Sequence, residues 1–301
     1  MTDARLPAVS LVAVAGRRQR TMELAQEIER RGFGGIFGPS FGDVMSLCVS
    51  LAHVTNEVPF GTAIQPIYSR RAADLATTAS YIAELSGGRF HLGLGVSHEP
   101  ALKRMGVETG KPLADTRAYV EEIRAAVGDK APMPKIVLAT LRKKMLRLAV
   151  EIGDGAVWAN GARSHMAESL QEVPADRSDF FLGNMIPTVI DDDKEAAAAV
   201  NRKTLTGYVS LPNYRNYWKE AGYVEEMEAI EAALAKQDWA ALPGLMSDRW
   251  LSDVTLYGSA SEVREGVEAW FDAGITTPIL VPSSTSGGQL KALEELFAAF
   301  A

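Results

Sequence analysis

Short β-rich apolar runs alternate with amphipathic stretches along the whole of this chain, and that alternation most constrains how it can fold. Strands are expected at residues 10–14, 35–37, 59–64, 89–94, 135–139, 156–158, 180–186 and 276–281. Helices are expected at 22–31, 44–54, 72–85, 115–127, 141–152, 290–300 and from Lys194 to Tyr208. Apolar residues recur within them at helical spacing: Leu75, Ala79, Ile82 and Leu85 in one, Leu141, Met145, Leu148, Ala149 and Ile152 in another. Eight strands alternating with helices call for parallel strands joined by crossover helices, hence an α/β protein of the (β/α)8 TIM-barrel class. A doubly wound sheet fits the alternation almost as well, because periodicity does not reveal strand order. No Pro/Ser-rich linker divides the chain, so residues 1–301 read as one domain. The stretch 201–256 is long for a single crossover and reads as a helical insertion over the carboxyl face of the barrel.

At 301 residues, 47% of them hydrophobic, the chain can bury a large core. Its net charge of −7 argues against a general nucleic-acid binder, which needs basic patches. The single cysteine, Cys48, lies in an apolar helical stretch, is expected to be a buried small hydrophobe and excludes an internal disulfide framework. The first residues are polar and carry no apolar leader, and no run has the length of a membrane span. The expectation is a cytoplasmic protein without membrane contact. Its four histidines, His53, His91, His98 and His165, lack metal-ligand spacing, so no metal is expected.

Residues 85–100, LSGGRFHLGLGVSHEP, are the densest signal. A helix ends at Leu85-Ser86, and Gly87-Gly88 supply the left-handed backbone that closes it. A strand follows and leaves through Gly95-Val96-Ser97-His98-Glu99-Pro100. Ligands of parallel α/β folds gather at the carboxyl ends of strands, so a Ser-His-Glu cluster there has a chemical reading. His98 could hydrogen-bond a ligand or carry a proton, or it could be a loop histidine satisfied by Glu99 or backbone carbonyls.

The segment ELSGGRFHLGLGVSHEP resembles the region around the fourth strand of the luciferase-like flavin and deazaflavin oxidoreductases. The resemblance runs from Val12 to about Asn160 and again over 256–282, through Tyr257-Gly258-Ser259-Ala260-Ser261-Glu262-Val263 and Ala273-Gly274-Ile275-Thr276-Thr277-Pro278. It implies a TIM barrel and a redox cofactor, coenzyme F420 ahead of FMN, with hydride passing to or from a small-molecule substrate. A homodimer is what the family resemblance makes plausible. The alternatives are an FMN-dependent monooxygenase using reduced flavin and oxygen, and a non-catalytic flavin-binding protein of the same fold.

The same resemblance assigns site residues. Thr62, Ala63 and Ile64 match positions where many members carry a non-proline cis peptide supporting the cofactor ring. Ser97 and His98 match the fourth-strand end. Ala139, Thr140, Leu141 and Arg142 match the turn whose amides hold the cofactor phosphate. Here the family's glycine-bearing turn is replaced by Leu141-Arg142-Lys143, whose basic residues could add charge towards a phosphate or a polyglutamate tail. Asn160 and Gly161 match positions contacting the cofactor tail, although Asn-Gly is also an ordinary turn signal. At the second strand, related F420-dependent dehydrogenases carry an acid or histidine where this chain has Ser40, with Asp43 three residues on. Serine at its free pKa is a poor base, so reduction of an activated double bond or monooxygenation suits Ser40 better than alcohol dehydrogenation. Tyr208, Tyr214, Tyr217 and Trp218 could line a substrate pocket or pack as core.

Overall fold

A computed structural model describes residues 5–40, 42–104, 106–129 and 131–301, with Glu99 and Arg104 described by backbone alone. The polar residues 1–4 and the side chain of Glu99 therefore lie outside the described residues. The chain divides into two compact units, one holding residues up to Trp158 with Glu172–Gly183, the other Ala159–Gln171 with Asn184–Ala301.

In the first unit β1 (Ala8–Ser10), α1 (Arg18–Arg30), β2 (Ile36–Gly38), α2 (Val44–Val54), β3 (Phe60–Thr62), β4 (Gln65–Pro66), α3 (Ala72–Leu85), β5 (Phe90–Gly95), α4 (Glu99–Arg104), α5 (Pro112–Val127), β6 (Lys135–Ala139), α6 (Lys143–Ile152) and β7 (Gly155–Ala159) follow one another. The strands pair in the order β1-β2-β3-β5-β6-β7, with β4 also against β5. These pairs are all parallel. A doubly wound sheet reverses its strand order at a switch point. Sequential order without reversal is that of the (β/α)8 barrel. The helices bury most of the stripes their spacing predicts: Leu24, Ala25 and Ile28 on α1, Leu75, Ala79 and Ile82 on α3, Leu148, Ala149 and Ile152 on α6; Leu85, at the end of α3, is exposed, and near α6 Leu146 is buried while Leu141 and Met145 are only half-buried.

Several boundaries differ from the sequence expectation. β1 lies at Ala8–Ser10 rather than 10–14, because its pairing with β2 ends where Gly38-Pro39 leaves the sheet, and Val14 is 45% exposed. α1 starts at Arg18, through an Arg-rich turn without apolar periodicity. α5 starts at Pro112, a residue suited to the first helical turn. The expected strand 59–64 is interrupted: β3 stops at Thr62, the Ala63–Ile64 peptide is cis, and β4 resumes at Gln65. At the break a side chain replaces the backbone ladder, since the Thr62 hydroxyl donates to the Gly93 carbonyl at 2.6 Å. The Ala63 amide donates to the Gly38 carbonyl at 2.7 Å. The short helix α4 occupies part of what reads as a loop.

In the second unit α7 (Met166–Ser169), β8 (Phe181–Ile190, whose first three residues belong to the first unit), α8 (Lys194–Val209), α9 (Pro212–Glu220), α10 (Val224–Ala235), a 3-10 stretch (Trp239–Leu245), α11 (Asp248–Val254), β9 (Leu256–Gly258), α12 (Ala260–Asp272), β10 (Thr277–Ser283) and α13 (Gln289–Ala299) follow. Both β9 and β10 pair with β8. β8 extends four residues beyond its expected end, and β9 is a short strand hidden at the end of the expected insertion. Helices α8 to α11 occupy this stretch, and Tyr214, Tyr217 and Trp218 pack as core while Tyr208 is half-buried and Trp239 exposed: Tyr214 lies 5.3 Å from Trp218, and Trp218 meets Trp250 edge-on at 4.8 Å.

A polar clamp secures the amino ends of β3 and β5. Arg89 donates to the carbonyls of Val58, Thr55 and Ser86 at 3.0 Å and to the Thr55 hydroxyl at 2.8 Å. One Glu29 oxygen accepts the amides of Asn56, Glu57 and Val58 at 2.7–3.0 Å. Burial raises the Glu29 carboxyl, but these amides and the nearby Arg89 outweigh it and hold it below the usual range. Replacing Arg89 by Ala orphans several acceptors at once, and is expected to lower unfolding free energy by about 2–4 kcal/mol in urea titration. At the other end of β5, a Cβ on Gly93 would sit 1.8 Å from the Thr62 carbonyl oxygen. Gly93→Ala therefore must part the two strands, and a melting temperature near wild type would contradict this close approach.

Candidate active site

Phe37, His91 and Phe181 come from the non-adjacent strands β2, β5 and β8, yet their rings meet at 5.2–6.1 Å. Side chains of separated strands meet on the inner face of a closed sheet, which identifies that face. Register then assigns Gly61, Gly93, Gly95, Val137 and Ala139 to the same side, since paired residues of parallel strands point alike and every second residue shares a face. Bulky rings form the floor, and the residues nearest the carboxyl ends are small. A Cβ on Gly95 would lie 2.8 Å from the Ala139 Cβ and 3.1 Å from the Ile64 Cδ1, so Ile64, Gly95 and Ala139 form one continuous apolar shelf. Ala63, Ile64 and Ala139 are half-buried, whereas Thr62, Gly95 and Leu138 beside them are buried. The shelf is thus open on one side and suits a flat aromatic ring.

Ser97, His98, Thr140 and Leu141 follow the same strands in sequence. β5 leads into Ser97, which adopts a left-handed backbone (φ 63°), and His98. The His98 carbonyl accepts the amides of Ala101 and Leu102, starting α4. Burial pushes the His98 imidazole below its ordinary pKa, so the ring is neutral at pH 7. β6 leads into buried Thr140, whose amide donates to the Val157 carbonyl at 2.9 Å and whose hydroxyl approaches the Arg142 carbonyl at 3.4 Å. Leu141 is half-buried, and α6 then begins at Arg142 with no side-chain cap and no acidic residue in its first turn. Arg142, Lys143 and Lys144 place positive charge at a helix end that already carries it, an arrangement that favours an anion. The Glu172 carboxyl is held below its usual range by its hydrogen bonds to Arg147, with Lys143 adding a smaller attraction.

Ser40, after β2, is exposed. Asp43 is committed elsewhere: it caps α2, accepting the Ser46 amide at 3.2 Å and the Ser46 hydroxyl at 2.5 Å. Burial raises its carboxyl, but the Ser46 bonds outweigh that and hold it below the usual range. Its acid is thus a helix cap. His91 is a floor residue: burial, with Lys135 adding repulsion, pushes its pKa down to about 4.

In the second unit Asn160 and Gly161 open the loop after β7. Asn160 is buried with a left-handed backbone (φ 55°); its amide donates to the Met185 carbonyl at 3.0 Å, and its carbonyl accepts the Trp218 indole at 3.2 Å. The Gly161 amide donates to the Asn184 side chain at 3.2 Å. The supporting residues Tyr217, Trp218 and Asp253 carry no spacing that ties them to residues 50–90 positions earlier, so the sequence alone does not connect them to this loop. Among the described residues no cluster of His, Cys, Asp or Glu could hold a metal ion, and no helix is long and apolar enough to cross a membrane.

The fold has known counterparts. A family model described as luciferase-like monooxygenase matches residues 6–277, and the chain belongs to that family. It is 25% identical over 286 residues to a 5,10-methylenetetrahydromethanopterin reductase from Methanolobus tindarius, covering 84% of this chain and 86% of that one. Among solved structures, the coenzyme F420-dependent tetrahydromethanopterin reductase from Methanopyrus kandleri superposes with a TM-score of 0.76 at 17% identity, over 99% of this chain and 100% of the other. An F420-dependent secondary alcohol dehydrogenase, solved with an F420-acetone adduct, gives 0.71 at 16% identity over 98% of each chain. These likenesses share the (β/α)8 barrel.

The His91 shift has a measurable consequence. An imidazole whose folded pKa lies near 4 stays neutral in the native state while the unfolded chain takes up a proton below pH 6.5. This group's stabilising contribution is full above pH 6.5 and is lost as pH falls towards 4, by about 3 kcal/mol in all. His91→Gln should flatten that part of the profile in urea titrations at pH 7, 5.5 and 4.5.

Proposed function

We propose that the protein is an oxidoreductase that binds coenzyme F420 and moves hydride between it and a small organic substrate. The observation that carries this reading is the open apolar shelf of Ile64, Gly95 and Ala139 beside the uncapped, basic start of α6. The two parts fit a flat ring joined to a phosphate. When bound, the deazaflavin supplies the hydride-carrying carbon; the protein's share is orientation and charge. Thr62, Ala63 and Ile64 support the ring. Thr140, Leu141 and the α6 amides receive the phosphate, with Arg142 adding charge towards an acidic tail. Ser97 and His98 border the ring, and the neutral His98 holds or moves a proton. Asn160 and Gly161 contact the cofactor tail, and Ser40 hydrogen-bonds the substrate. The full chain acts as one domain with a helical insertion, in the cytoplasm and as a homodimer.

A monooxygenase using reduced FMN is the second reading, favoured by Ser40 standing where a base would serve alcohol oxidation and by the capping role of Asp43. A non-catalytic flavin-binding protein would share the shelf but turn over no substrate. Titrating the apo-protein separately with F420 and FMN, read by fluorescence and calorimetry, separates them. The expected result is about micromolar or tighter binding of F420 and weaker binding of FMN. The reverse preference transfers the proposal to the monooxygenase, and binding of neither overturns it.

Ala139→Phe, which fills the shelf from a half-buried position, should weaken F420 binding by at least about tenfold with little change in melting temperature. His98→Ala should reduce turnover. Because burial lowers the His98 pKa, the decline in wild-type turnover as the ring gains its proton should set in at a lower pH than an ordinary imidazole would give.

A further inference from the structure

The loop after β7 is held by side chains rather than by a backbone ladder. The Ala162 amide donates to the Tyr217 hydroxyl at 2.9 Å. The Ser164 amide and hydroxyl donate to the two carboxylate oxygens of Asp253 at 2.9 and 2.7 Å. Tyr223 donates a further bond to Asp253, at 2.8 Å. Together with the Asn160 and Gly161 bonds described above, the amides of residues 160, 161, 162 and 164 are all spent on protein acceptors. The acceptors Met185 and Asn184 lie on β8, whereas Tyr217 on α9 and Asp253 on α11 belong to the insertion, where Trp218 on α9 and Tyr223 just before α10 add donors to Asn160 and Asp253. Behind them the aromatic stack of Tyr214, Trp218 and Trp250 is almost wholly buried, so α9 is a fixed platform.

We infer that Tyr217 and Asp253 are positioning residues: through them the helical insertion sets the shape of the 160–164 loop and thereby the affinity for the cofactor. The inference rests on the proposal that this loop contacts the cofactor tail. It also specifies the contact. With the amides of residues 160, 161, 162 and 164 spent, the loop offers the cofactor tail a shaped surface. What packs α9 thereby also shapes the loop.

The chemistry supplies a graded set of variants. Tyr217→Phe keeps the ring and removes only the acceptor of the Ala162 amide. Asp253→Ala removes both acceptors of Ser164, whereas Asp253→Asn keeps a carbonyl oxygen for the Ser164 amide and serves as the conservative rescue. Amide hydrogen exchange in the apo-protein reads the loop without any cofactor. Ala162 in Tyr217→Phe, and Ser164 in Asp253→Ala, should exchange about tenfold faster, with strand amides elsewhere unchanged. F420 titration of the same proteins should then show about fivefold or greater loss of affinity for both, with Asp253→Asn close to wild type and turnover at saturating F420 preserved.

Unchanged exchange at Ala162 and Ser164 would overturn the positioning role. Faster exchange with unchanged F420 affinity would overturn its link to the cofactor. A wild-type protein that binds neither F420 nor FMN fails the proposed function itself and removes that link with it, while the exchange data still decide the clamp on its own.

Discussion

The close approach of β3 to β5 governs the site. With no side chain at Gly93, the Thr62 carbonyl comes within 1.8 Å of where a Cβ would stand, and the Thr62 hydroxyl bonds the Gly93 carbonyl in return. The backbone ladder stops there, and the third strand resumes only at Gln65. That interruption leaves Ala63 and Ile64 at the carboxyl end of the inner face, next to Gly95. A larger residue at position 93 would hold the strands at ordinary spacing and leave no such shelf. Small residues in this strand are therefore spatial requirements rather than packing defaults.

The two ends of β5 show how one short segment serves stability and chemistry apart. At its amino end Arg89 joins three carbonyls and a hydroxyl, and Glu29 collects three amides of the neighbouring loop. At its carboxyl end the chain runs on into Ser97 and His98, which we propose border the cofactor. Between them His91 sits in an aromatic floor, kept neutral by burial. The division follows the barrel rule that the bottom of the strands carries stability and the top carries function.

The sequence reading succeeded where period and punctuation are local. The helices Val44–Val54 and Ala72–Leu85 and the strand Lys135–Ala139 end where apolar spacing and turn residues place them. It drifted where pairing sets the limit. β1 shifted by two residues because its partner strand ends at Gly38-Pro39, and the three-residue β9 carries no periodicity of its own. Ser40, His98, Thr140 and Asn160 were nameable because each follows a strand. That Asp43 is a helix cap, and that Asn160 is tied to Met185 and Trp218, depends on partners the sequence does not pair.

By itself, then, the chain's pattern determined a parallel α/β protein with small and ionisable residues at its strand ends, since hydrophobic period and turn chemistry act within a few residues. Tertiary structure decided strand order, the break in the third strand and the clamp on the loop after β7. These rest on contacts between positions 30 to 90 residues apart, such as Thr62 with Gly93 and Ser164 with Asp253, whose formation depends on the global path of the chain and not on any local preference.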